Sequence, residues 1–162
     1  MSQSPWWKGA RGEWYVIIQI VMFALVVFGP QMAMGWPAWT SPYAELGSIA
    51  GGILLLMGVA LATAGYLRLG ANLTALPYPK EQSTLVETGA YQIVRHPMYS
   101  GLIIMSLGWG IFVHGWLTSG YALILLVFFD IKSRREEQWL TEKFARYAAY
   151  QKRVHKLIPF IY

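Results

Sequence analysis

The side chains able to bind or activate a small molecule fall into two groups, both in the second half of the chain. One is the run Ser83-Thr84-Leu85-Val86-Glu87-Thr88-Gly89-Ala90-Tyr91, followed shortly by Arg95-His96-Pro97-Met98-Tyr99-Ser100-Gly101. The other is Lys132, Arg134, Arg135, Glu136 and Glu137. A neutral imidazole binds a ligand or accepts a proton near neutral pH. A carboxylate accepts hydrogen bonds from hydroxyl and ammonium donors, and a tyrosine ring holds a cation or a flat heterocycle. Glu136 and Glu137 are adjacent, so on a helix they point about 100° apart and only one faces a pocket squarely. The other orients a neighbour or pairs with Arg134 or Lys143. The chain has no Cys, which excludes a disulfide framework, a thiolate metal site and a cysteine nucleophile.

The elements that must position these groups are apolar. Of 162 residues, 56% are hydrophobic and 13% charged, about half the charged share of ordinary soluble domains. So small a soluble domain could not hide that much apolar surface. Disorder is excluded by the same composition, with eight Trp, ten Tyr and seven Phe. The expected fold is an all-α integral membrane protein, a single membrane domain over residues 1–162. About four transmembrane helices are expected, the last two forming a short hairpin, with a cytoplasmic helical tail behind them.

The polar residues 1–13 contain Trp6, Trp7, Lys8 and Arg11. The first span follows over residues 14–35, with Pro30 late in it as a kink. An interfacial aromatic loop comes next, then a second span over 46–67, so residues 1–70 hold the two N-terminal spans. Gly47, Gly51 and Gly58 lie near one side of the second span, where small residues let another helix approach. Residues 68–100 form a polar connection, and Pro97 suits the first turn of a new helix. Residues 101–131 are again apolar, broken at His114-Gly115-Trp116. Each arm of that hairpin would be about 25 Å long. His114, at the far-side break, is read as an interfacial residue. Asp130 is read as a helix-end pair or a pocket wall. Phe144, Tyr147, Tyr150 and Val154 make an aromatic stripe that lies on the membrane or caps the bundle.

Charge orients this arrangement. With four spans, residues 1–13, the 68–100 connection and the tail from Lys132 share one side, and they hold two, three and eight Lys or Arg, all thirteen in the chain. The positive-inside rule puts both termini and the candidate site in the cytoplasm. The formal charge of +5 therefore indicates a membrane surface and not nucleic acid.

The motif residues resemble a known family. Arg95-His96-Pro97-Met98-Tyr99-Ser100-Gly101 fits the RHPxYxG element of the isoprenylcysteine carboxyl methyltransferases, and Glu136-Glu137 follow at that family's spacing. Leu85-Val86 with Gly89 and Tyr91 matches its lead-in. Leu140, Phe144, Tyr147, Tyr150, Val154 and Pro159 match its tail. The resemblance covers residues 83–161, read as the cofactor-binding region. Phospholipid methyltransferases look similar.

The resemblance implies methyl transfer from S-adenosylmethionine, with no metal. By position, the cofactor would contact Ser83, Thr84, Leu85, Val86, Tyr91, His96, Pro97, Met98, Tyr99 and Glu136. The chemistry of these groups agrees: Glu136 can accept from a ribose hydroxyl or an amino group, tyrosine faces can hold a cation or an adenine, and the backbone at 84–86 can read an adenine edge. The family places an Arg four residues before the first matched Glu, where it holds the substrate carboxylate. Here Lys132 stands there, a point charge and not a bidentate fork, with Arg134 or Arg135 as substitutes. Lys132, Arg134 and Arg135 are thus the acceptor-side candidates; the alternative for this cluster is an anchor to lipid headgroups. The acceptor is lipophilic, an isoprenylcysteine-like carboxylate or a phospholipid amine. Two other functions compete: a membrane reductase like the sterol reductases, using a nicotinamide phosphate cofactor, and a non-catalytic membrane scaffold.

Overall fold

The computed structural model describes Gly9, residues 11–159 and residues 161–162. Trp6, Trp7 and Lys8 of the expected polar leader lie outside the described residues. Among the described residues there are five α-helices: α1 Glu13–Phe28, α2 Tyr43–Leu69, α3 Pro97–Phe112, α4 Trp116–Lys143 and α5 Tyr147–Arg153. Among the described residues there is no strand, only a lone parallel bridge between Val94 and His155. Two helices, α2 and α4, are long and apolar enough to cross a membrane, while α1 and α3 are shorter apolar helices.

The helix limits follow from local chemistry. α1 ends at Phe28, short of the expected residue 35. The residue before a proline avoids helical geometry, and Pro30 has no N–H to continue the ladder. Pro30 therefore follows the end of the helix and does not kink it. α3 begins on Pro97 as expected. The hairpin break falls at 113–115, with His114 at a left-handed φ of 56°. The hairpin arms are unequal: α3 has 16 residues and α4 has 28, about 24 and 42 Å at 1.5 Å per residue. The charged stretch from Lys132 is the last part of α4 itself.

The helices pack in the order α2, α3, α4, α1. Glycine sets the closest contact. Gly51, Gly58 and Gly65 on α2 repeat every seven residues; Gly51 meets Gly108 and Gly58 meets Gly101 on α3, while Gly65 meets Pro97 and Met98 at its start. A methyl group at Gly58 would stand 2.7 Å from the Gly101 carbonyl oxygen, and one at Gly51 would stand 2.7 Å from that of Gly108. Backbones at this range gain dispersion and weak C–H···O contacts that larger side chains would forbid. Gly47 instead packs under Trp39.

The outer surface is apolar. Phe28, Leu56, Ile49, Leu123 and Ile124 are all exposed. Among the described residues, Ile103, Leu125, Phe129 and Leu157 form a small buried cluster. Large apolar residues outside and glycines at the helix contacts suit a chain whose solvent is lipid.

Candidate active site

At one end of the bundle, the segment between α2 and α3 folds back as a strap over the start of α3 and the charged end of α4. Asn72, in a 3₁₀ turn right after α2, accepts from the Thr84 N–H at 3.0 Å. Lys143, at the end of α4, donates from Nζ to the Glu81 carbonyl and to Ser83 Oγ, both at 2.9 Å, and to the Lys80 carbonyl. The strap also reaches α1, where Pro77 packs against Gly12. Beneath it opens a cleft of about 830 Å³, open mouth included.

The floor is an aromatic stack. The His96 ring lies 5.4 Å from Tyr99 and nearly parallel to it, and Tyr99 lies 4.6 Å from Phe129. Tyr99 OH donates to Glu136 Oε2 at 2.7 Å. The Glu136 side chain is 24% exposed, so its carboxylate keeps acceptor capacity for a ligand. Glu137, next to it, is fully engaged. It accepts from Arg95 Nε at 2.7 Å, from Gln151 Nε2 at 3.0 Å and stands 3.1 Å from His96 Nε2. Its partner is thus Arg95, not the expected Arg134 or Lys143. The helix rotation between neighbours turns one glutamate to the cleft and the other to the frame.

α5 closes the back wall. Tyr147 and Tyr150 are buried there, so the aromatic stripe caps the bundle; Phe144 precedes the helix and also lines the cleft. Tyr150 OH donates to the Tyr91 carbonyl at 2.5 Å. Burial pushes the hydroxyls of Tyr91, Tyr147 and Tyr150 above the ordinary phenol range, and nearby carboxylates add to the shift: Glu136 at Tyr91, Glu137 then Glu136 at Tyr147. All three remain protonated donors. The Tyr147 hydroxyl is buried on the cleft wall without a hydrogen-bond partner among the described residues. An unspent buried donor is costly, and a polar ligand atom would satisfy it.

Of the residues assigned to a cofactor, Ser83, Thr84, Leu85, Val86, Tyr91, His96, Met98, Tyr99 and Glu136 line this one cleft. Pro97 does not; it starts α3 and is buried against Gly65. Lys132 stands behind Tyr99, with Nζ 5.0 Å from the ring centre. Arg134 pairs with Asp130 at 2.8 Å, and Arg135 lies 4.5 Å from the Trp139 ring; neither reaches the cleft. Asp130 is a pairing residue, also bound by Lys156 and by Tyr162 OH. Leu69, Asn72, Thr74, Pro77 and Pro79 line the cleft unforeseen. The Pro-Tyr-Pro rigidity of 77–79 was the one signal available. Arg95, Leu140, Phe144, Tyr147 and Tyr150 also line it; they match the motif but none was assigned to the cofactor.

Comparison with known proteins bears on this geometry directly. The family described as phospholipid methyltransferase matches residues 46–147. The chain belongs to that family. Its match runs from α2 to the first residue of α5, so it takes in the strap, the stack and both glutamates. Protein-S-isoprenylcysteine O-methyltransferase B of Arabidopsis thaliana is 30% identical over 142 residues, 85% of this chain and 68% of its own length. Cobalt-zinc-cadmium resistance protein CzcN of Cupriavidus metallidurans is 29% identical over 149 residues, 91% of this chain and 62% of its own. Among solved structures, the eukaryotic intramembrane Ras methyltransferase, isoprenylcysteine carboxyl methyltransferase, superposes with a TM-score of 0.65 at 25% identity. That match covers 99% of this chain and 55% of the other. The chain thus spans from about half to two thirds of the length of these proteins. The isoprenylcysteine resemblance read from the motif holds, and the family is one of membrane methyltransferases.

Proposed function

We propose that this protein is an S-adenosylmethionine-dependent methyltransferase that modifies a lipophilic acceptor at the membrane interface. The observation that carries the reading is Glu136: one oxygen is fixed by Tyr99 OH at 2.7 Å while the carboxylate borders the cleft that the motif residues share. The residues fit this cofactor. Glu136 accepts from its amino group or ribose hydroxyls, the faces of Tyr91 and Tyr99 suit its cation and its adenine, and the unpartnered Tyr147 hydroxyl supplies a donor. Bound S-adenosylmethionine supplies an activated methyl group on a sulfonium centre.

The chain's own groups do the rest. Leu85, Val86, Leu140 and Phe144 give the cleft apolar walls that exclude water. Arg95 and Gln151 hold Glu137, and Glu137 in turn holds His96 Nε2. His96 Nδ1 lies 3.9 Å from Glu136 Oε2, and is the group we assign to take the proton that an amine acceptor loses. A carboxylate acceptor needs no such base. Residues 83–161, with the strap from Leu69, form the cofactor region within a single membrane domain. Four spans, α1 to α4, put both termini and the cleft on the cytoplasmic side, supported by the one-sided distribution of Lys and Arg. Arg134 and Arg135 then serve as headgroup anchors. The acceptor is an isoprenylcysteine-like carboxylate or a phospholipid amine.

The test is calorimetric titration of the detergent-purified protein with S-adenosylhomocysteine, with Glu136→Ala as control. The expected result is micromolar binding that the substitution weakens, followed by transfer of labelled methyl to one of the two acceptor classes. A folded protein that ignores S-adenosylhomocysteine and binds a nicotinamide phosphate cofactor would overturn the reading.

A further inference from the structure

Gln19 interrupts an otherwise apolar helix. After Glu13, α1 runs Trp-Tyr-Val-Ile-Ile-Gln-Ile-Val-Met-Phe-Ala-Leu-Val-Val-Phe, and Gln19 is its one polar amide. Such a side chain inside a membrane bundle is costly unless it meets a partner. Its partner is Lys132 on α4, whose Nζ donates to Gln19 Oε1 at 2.6 Å.

Lys132 is the stranger of the two. It is 1% exposed, and a buried ammonium ordinarily has a carboxylate against it. Among the described residues Lys132 makes no ion pair. Gln19 is its hydrogen-bond partner, and the rings of Tyr99 and Phe129 lie 5.0 and 6.0 Å from its nitrogen. Its charge is thus held by an amide and two rings, and the Glu136 carboxylate acts on it through space without an ion-pair contact. Tyr99 carries that charge at its ring and the Glu136 carboxylate at its hydroxyl.

We propose that Gln19 is a positioning residue for the cofactor-binding carboxylate Glu136, acting through Lys132 and Tyr99. The proposal rests on the cofactor reading of the cleft given above. A cation at the ring draws electron density from the phenol and strengthens its hydroxyl as a donor. That fixes Glu136. Lys132 and Glu136 are also one helical turn apart on α4, the spacing at which Lys and Glu side chains meet. An ammonium released by Gln19 would turn to Glu136 and take the carboxylate away from the ligand. A neutral amide is what the position requires: an apolar residue would free the cation, and a carboxylate would cancel it.

The experiment compares Gln19→Glu, Lys132→Met and Tyr99→Phe, with the Lys132→Met/Tyr99→Phe double variant. Each is measured for S-adenosylhomocysteine affinity, for thermal midpoint without ligand and for the acceptor KM. Gln19→Glu should keep or raise the midpoint, because it turns a hydrogen bond into an ion pair, yet weaken S-adenosylhomocysteine binding about tenfold. A merely structural Gln19 would not separate those two readouts. Lys132→Met replaces a buried charge with an apolar chain of similar length, so the protein still folds, and affinity should again fall about tenfold. In the Tyr99→Phe background the Lys132 change should add nothing. Unchanged affinity in both Gln19→Glu and Lys132→Met overturns the proposal. So does a shift confined to the acceptor KM, which would assign the pair to acceptor binding. Absence of S-adenosylhomocysteine binding in the unsubstituted protein would overturn the cofactor reading and this inference with it.

Discussion

His96 and His114 stand at opposite ends of α3 and share a surprising amount. Each ring stacks near an aromatic, His96 at 5.4 Å from Tyr99 and His114 at 5.5 Å from Trp39. What differs is the company of the nitrogens. His96 has Glu137 at 3.1 Å on one and Glu136 at 3.9 Å from the other. His114 Nε2 donates to the Ala44 carbonyl at 2.8 Å and lies 3.2 Å from Ser48 Oγ. Two carboxylates hold the His96 ring beside the cleft, whereas the Ala44 carbonyl fixes one tautomer of His114 and ties the hairpin tip to the start of α2. The aromatic neighbour says nothing about which kind of histidine it is.

The contrast can be pressed from both ends. His96→Ala should cost most, lowering turnover with an amine acceptor about a hundredfold; equal turnover would show that the acceptor's proton leaves by another route. Glu136→Ala should weaken S-adenosylhomocysteine about thirtyfold in calorimetry, the loss of a charge-assisted hydrogen bond, while the thermal midpoint stays near that of the unsubstituted protein. Between the two ends, Gly58→Val should destabilise by about 2 kcal/mol in denaturant unfolding, because its side chain meets α3 backbone; retained stability would mean that the helix contact is looser than the glycine spacing indicates. His114→Ala should cost about 1 kcal/mol of stability and leave turnover intact, and a loss of turnover would erase the distinction between the two ends. Arg135→Ala, smallest of all, should shift stability by less than about 0.5 kcal/mol and activity not measurably.

The legible part of this site was the part contiguous in sequence. Residues 83–86, Tyr91, His96, Met98 and Tyr99 sit within one short stretch, and their common wall follows once Pro97 starts a helix. Residues brought in by a returning loop were not legible. Asn72 and Thr74 follow α2 directly, and nothing local says that Asn72 will accept from Thr84. The partner of Glu137 was missed for a related reason: charge and spacing favoured Arg134 or Lys143 on the same helix, whereas Arg95 comes from the start of α3. At the helix ends, a hydrophobic run read to residue 35 passes over the backbone restriction that Pro30 imposes. The length of α4 was partly hidden because its last part is charged, so hydropathy marks the edge of lipid and not the end of the helix. Lys132 fell at the expected position in sequence but behind the cleft wall, because the Tyr99 ring lines the cleft in front of its ammonium.

The frame behind His96 depends on residues far along the chain. The Arg95 N–H donates to the His155 carbonyl at 2.8 Å, the His96 N–H to the Lys156 carbonyl at 3.2 Å, and Ser100 Oγ to the Leu157 carbonyl at 2.5 Å. During synthesis, then, α2 and α3 can join along their glycines while the histidine beside them is still unseated. At roughly 5–20 residues per second, the interval between making His96 and making its last backbone partner lasts several seconds. The glycine contact of α2 and α3 can thus be in place before the histidine beside it is seated, because the carbonyls that seat it come about sixty residues later in the chain.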